Sequence, residues 1–120
     1  MGLKRGQVIF HTFKLPGLTE SAEHPVLIIS NETVCTECDM YVGLMITSSN
    51  VYGKDYFTFE LKDSMFSRNT LSKDHAYIRL HLVAYFDANS IYKPNIVAEV
   101  KSLYIDEILE TQRIKVFDDE

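Results

Sequence analysis

Four consecutive apolar residues follow a proline in Pro25-Val26-Leu27-Ile28-Ile29. Proline cannot donate to a sheet ladder and sits at strand starts and edges, so Pro25 opens the segment. The uninterrupted apolar run behind it suits a strand buried on both faces. Five further strand-like segments accompany it. Gln7 to Phe13 is the first strand, closed by the break Leu15-Pro16-Gly17-Leu18. After the Pro25 strand, polar Asn31 to Asp39 reads as a loop, and Met40 to Ile46 is a third strand ended by Thr47-Ser48-Ser49-Asn50. Tyr56 to Leu61 alternates and makes a fourth. Asp63 to Asp74 is polar and reads as irregular and mobile. Ala76 to Phe86 reads as two short strands, Tyr77–Leu80 and Leu82–Phe86, joined through His81.

Short strands with frequent turns predict a mostly-β barrel or sandwich rather than alternating βαβ units. Seven Tyr and seven Phe, with many Val and Ile, favour the same class. The tail has two readings. Ile96, Val97, Val100, Leu103, Tyr104 and Ile108 fall near helical spacing and allow one helix after Asn95. Alternatively Ile96–Lys101 is a strand and Ser102–Arg113 a helix with Ser102 as its N-cap. Asp118-Asp119-Glu120 reads as a solvated end. Repeats and linkers are lacking, and 120 residues with 46% hydrophobic content suit one domain over residues 1–120.

No apolar run approaches the roughly 18 residues that span a bilayer, and the start at Met1 to Gly6 lacks a signal-peptide core. A cytoplasmic location is the expectation. The net charge of −5 argues against broad gripping of phosphate backbones but leaves room for a local basic pocket. Cys35 and Cys38 form a single CxxC with no second ligand pair, so no zinc site is expected and two ordinary thiols are. No cofactor is expected.

Three stretches in order resemble the PemK/MazF family of toxins. Lys4-Arg5-Gly6-Gln7-Val8-Ile9-Phe10 resembles its opening RGDI strand, with Gln7 where Asp is common. His24-Pro25-Val26-Leu27-Ile28-Ile29-Ser30-Asn31 is similar to its RPVLVIS strand, and Leu44-Met45-Ile46-Thr47-Ser48 to its PITS strand end. Tyr77-Ile78-Arg79-Leu80-His81 with Tyr85-Phe86-Asp87 is a fourth, weaker match. The resemblance spans most of the chain. It implies a small SH3-like β-barrel with a C-terminal helix, and so favours strand then helix in the tail. It also implies a homodimer that cleaves single-stranded RNA without a metal and is inhibited by an antitoxin protein.

In that family an Arg precedes the proline; here the position is His24, which can move protons but lacks the permanent charge and fork of a guanidinium. Thr47 falls where the family places a hydroxyl beside the scissile phosphate; Thr is also common at strand-end turns. Arg79 matches an Arg that contributes to the site in some members, and His81 falls where those members carry an acid. Alternation places Arg79 and His81 on one strand face, where they can clamp a phosphate or form a wet surface. His24, Thr47, Arg79 and His81 are therefore the candidate catalytic residues, with Ser48, Tyr52 and Lys14 as candidate RNA contacts. Tyr52, Tyr56 and Phe57 can stack on bases or belong to the core. Lys14–Glu23 is the expected lid, and His11 a satisfied core histidine. The alternative function is a non-catalytic barrel that binds a protein or peptide, as the related CcdB-like barrels act on a protein target.

Overall fold

The computed structural model describes residues 2–13, 19–49, 55–71, 75–91 and 95–119. They form one antiparallel sheet that curls into a half-barrel, with strand order β4-β6-β3-β2-β1-β7-β5. The strands are β1 (Gln7–Phe13), β2 (Ala22–Ile28), β3 (Met40–Thr47), β4 (Thr58–Glu60), β5 (Phe66–Arg68), β6 (Tyr77–Asp87) and β7 (Ala98–Val100). A short helix α1 (Glu32–Cys38) links β2 to β3, and α2 (Ser102–Gln112) follows β7.

Two apolar clusters lie on the two faces of β2. Leu27 packs with Val8, Leu44, Ile78 and Leu80 inside the curl, where Ile105 and Ile108 of α2 close the core. Val26 and Ile28 join Ile9, Tyr41 and Phe86 on the opposite face. Val26, Leu27 and Ile28 are each 0% exposed, as an unbroken apolar run requires. Gly43 is set by the same packing: a Cβ there would collide with Val26 Cγ1 and meet the Leu27 carbonyl at 3.0 Å. Gly6 turns the chain into β1 at φ +96, a conformation that side chains resist.

Several expectations need correction. Asn31–Asp39 is not a loop. Asn31 Oδ1 accepts from the Val34 N–H at 3.2 Å, Asp39 closes the C-terminus at φ 54, and the seven residues between are helical. None of them is buried, so no apolar period could betray the helix. Cys35 and Cys38, both free thiols, therefore ride on α1 rather than on a loop.

Asp63–Asp74 was expected to be irregular, yet Phe66–Arg68 forms a strand because β7 offers a ladder and Phe66 buries its ring in the core. Asp63–Leu71 carries a 3-10 turn at Asp63–Met65 and this strand. β6 is one strand, not two. Leu44 pairs with Val83 and Ile46 with Ile78, so the four residues Arg79 to Leu82 stand opposite Met45 alone, three in excess, and bend the strand. The break expected at His81 is this irregularity.

β2 also starts before Pro25, at Ala22, with Pro25 paired to Phe10 inside the strand. In the tail the strand-then-helix reading holds, but Lys101, not Ser102, occupies the N-cap, and no side chain caps the helix. A π-helical turn, Arg113–Phe117, extends it.

Gly43→Ala is expected to destabilise the fold by about 2 kcal/mol, since an added methyl must push apart β2 and its neighbour. Urea denaturation would record this as a lower midpoint with an unchanged slope.

Candidate functional site

β2 and β3 separate beyond the Val26–Met45 pair. Continuing their register would set Pro25 against Ile46 and His24 against Thr47, but the ladder stops. Pro25 has no N–H to offer β3. β2 instead stays with β1 out to the Ala22–Phe13 pair, and β3 stays with β6 out to the Thr47–Tyr77 pair.

The cleft between them opens into a cavity of about 640 Å³. β2 contributes Glu23, His24 and Pro25 to its lining, while β3 and the following turn contribute Ile46, Thr47, Ser48 and Ser49. His75 and Ala76 enter from the chain leading into β6, and Phe10, Leu71 and Val97 supply apolar wall. Three of the expected residues, His24, Thr47 and Ser48, thus meet at one concave surface. Thr47 is buried, and its Oγ1 accepts from the Ser49 N–H at 3.2 Å. The turn reading and the site reading of Thr47 are therefore compatible, because an accepting hydroxyl keeps its own hydrogen to donate.

Arg79 and His81 do not line this cavity. They follow Tyr77 on β6 and face β4. Arg79, 6% exposed, donates to Thr58 Oγ1 at 2.6 Å and forms an ion pair with Asp55 at 3.2 Å. The Phe57 N–H and then the Arg79 guanidinium hold the Asp55 carboxyl below the usual carboxylate range. The His81 ring packs on Phe57 with centroids 4.6 Å apart. Partial burial, followed by the nearby Arg79 charge, lowers its pKa; Asp55 opposes the shift. A ring titrating below 6.5 is mostly neutral at pH 7.

His11 donates Nδ1–H to the Thr12 carbonyl at 2.9 Å and packs on Phe86, so it is half-buried and satisfied. Tyr56 is 55% exposed, whereas Phe57 is half-buried. Lys14 and Tyr52 lie outside the described residues, as do positions 14–18 of the expected lid. Thr19 to Ser21 of that segment are exposed, and Ala22 and Glu23 belong to β2.

His75 is a cavity residue that the sequence reading missed. Its Nδ1 shares a hydrogen bond of 3.1 Å with Tyr77 Oη, and the two rings stack with centroids 5.5 Å apart and planes 13° apart. One signal was available. The alternation that pairs Arg79 with His81 extends backwards through Tyr77 to His75.

The sequence matches no family model and no curated protein. Solved structures match closely in shape. MazF from Deinococcus radiodurans superposes with a TM-score of 0.71 at 14% identity, over 95% of this chain and 96% of that one. An endoribonuclease from a mycobacterial species gives 0.67 at 15% identity, over 97% and 92%. The complex of such a mycobacterial endoribonuclease with its cognate antitoxin gives 0.64 at 15% identity, over 99% and 97%. The chain has the MazF fold over 95% of its length, the SH3-like barrel with a C-terminal helix expected from the resemblance.

Asp55→Ala removes the ion pair of the buried Arg79 and is expected to cost about 2 kcal/mol of stability in urea denaturation. His81 adds a pH dependence of known sign. Its folded pKa lies below its unfolded value near 6.5, so as pH falls through that window the unfolded chain takes up the proton first. The His81 contribution to stability falls as pH drops from 7 to 5, and His81→Gln should remove that part of the slope while leaving the rest.

Proposed function

We propose that this chain is the toxin of a toxin–antitoxin pair, a metal-independent endoribonuclease that cuts single-stranded RNA at the cavity between β2 and β3. The supporting observation is the meeting of His24, Thr47 and Ser48 there, on a MazF fold matched along the chain. In this reaction the ribose 2′-OH attacks the adjacent phosphate, leaving a cyclic phosphate and a free 5′-OH. The 2′-OH needs a base, the leaving oxygen needs an acid, and the phosphorane needs donors.

His24 is the proposed base. The Thr47 hydroxyl and the Ser48 turn donate to the non-bridging oxygens. Arg79 and His81 support the site from the adjoining stretch of β6, Arg79 with its charge already engaged by Asp55. Lys14 and Tyr52, which in sequence follow β1 and the Ser48–Ser49 turn, are the proposed outer contacts of the strand. The active unit is proposed to be a homodimer, controlled by an antitoxin protein.

A second reading draws on one specific observation. Among the described residues that line the cavity none is Lys or Arg, and Glu23 brings negative charge. That lining also suits a barrel that binds a protein or peptide and cuts nothing.

Purified protein in EDTA, given a long single-stranded RNA near pH 6, is expected to release fragments with 5′-OH ends. His24→Ala and Thr47→Ala should each slow cutting by roughly a hundredfold. Intact RNA throughout, together with capture of a protein partner and no growth arrest on induction, would establish the second reading instead.

A further inference from the structure

We propose that His75 is the second catalytic imidazole of this cavity, the acid opposite His24, and that Tyr77 is its positioning residue; the proposal rests on the ribonuclease reading above.

Strand order carries the first part. β6, β3 and β2 are successive neighbours in the sheet. His75 leads into β6, Thr47 ends β3 and His24 lies in β2, and all three border the same cavity. Thr47 is paired with Tyr77, so His75 lies two residues beyond it, level with Ser49, and an imidazole borders the cavity on either side of β3. Two strand spacings amount to about 10 Å, and β2 and β3 have already parted here. The cavity of about 640 Å³ leaves room for a phosphodiester, and the proposed place for it is between the two rings.

Chemistry needs both rings. In-line displacement puts the attacking and leaving oxygens on opposite sides of phosphorus, so one imidazole at one edge cannot serve both. The 2′ oxygen forms its bond to phosphorus as its proton passes to His24. The bond from phosphorus to O5′ breaks as O5′ takes the Nε2 proton of the protonated His75 ring. His24 ends protonated and His75 neutral, and exchange with water restores both. No other co-reactant is required.

Tyr77 makes His75 fit for this task. Tyr77 is 5% exposed and held by ladders on both sides, to Thr47 and to Glu60. Its ring lies nearly parallel to the imidazole, and its hydroxyl holds Nδ1 at 3.1 Å. A phenol O–H donates to a bare Nδ1, and its oxygen accepts from Nδ1–H once the ring is protonated. The bond therefore survives either state, and Nε2 is the nitrogen left for substrate. Arg79 cannot take the acid's place while Thr58 and Asp55 hold its guanidinium.

The test compares two versions of one single-stranded RNA, cut by the full-length chain. One version has the natural linkage at the mapped cleavage site. The other has its bridging 5′ oxygen replaced by sulfur, a leaving group that needs no proton. His75→Ala and His75→Gln should each lower the rate on the natural RNA by roughly a hundredfold, yet cut the sulfur-bridged RNA at the unsubstituted enzyme's rate. His24→Ala should be slow on both. Tyr77→Phe keeps the ring stack and loses the hydroxyl, and should lower kcat about tenfold with KM unchanged, on the natural RNA only. If both His75 variants cut natural RNA at full rate, or are equally slow on both RNAs, His75 is not the acid, while the ribonuclease reading stands. If the unsubstituted chain cuts neither RNA, the ribonuclease reading itself falls and this assignment with it.

Discussion

Burial of Val26, Leu27 and Ile28 on two faces at once is the constraint from which the rest of the molecule follows. Leu27 is committed to the interior of the curl, and Val26 and Ile28 to the cluster behind it. Sliding β2 by one residue would exchange the two sets and drive each against partners of the wrong shape. Gly43 tightens the lock from the β3 side, where no side chain larger than hydrogen fits against Val26. With the register held, the position at which β3 must leave β2 is held too, because the next residue back is Pro25. The cleft is therefore a product of core packing and of one missing N–H, and His24 and Thr47 border it because they lie two residues beyond the last pair.

The strands of this fold were legible where burial dictates sequence. Gln7–Phe13, Met40 onwards and Tyr77 onwards carry apolar or β-branched residues at positions the core needs, and they appear as expected. What stayed hidden is structure held by partners distant in sequence or by caps. α1 has no buried residue and stands on the Asn31 and Asp39 caps. β5 has one buried residue, Phe66, and depends on β7, a strand far along the chain. The continuity of β6 through His81 was invisible because it is held by partners distant in sequence, β3 and β4 before the bend and β3 after it.

Legibility of the site divides in the same way. His24, Thr47 and Ser48 could be placed together through a family resemblance whose two blocks are neighbouring strands. Arg79 could be put on a face by alternation, but not told that Asp55 and Thr58 would occupy that face with it. Local pattern reports which side of a strand a residue takes and is silent about what else arrives there. His75 escaped notice for the complementary reason. It precedes its strand, and the alternation that reaches back to it gives only a face; the stacking on Tyr77 reveals how it is held.

Charge connects these observations. The chain carries a net charge of −5, and the guanidinium closest along β6 to the cavity is already neutralised by a carboxylate. A cleft built this way has little fixed positive potential with which to draw in a polyanion from a distance. What it does have is imidazole, a group whose charge can appear and vanish within a catalytic cycle. Replacing a permanent cation by a switchable one gives up affinity for the phosphate in the ground state. In the proposed reaction proton transfer would keep its value, because a proton delivered as the leaving oxygen departs acts on the transition state and not on the bound RNA. On this fold, the departure from the usual arginine at His24 is consistent with chemistry that relies on moving protons between two rings more than on holding charge with one.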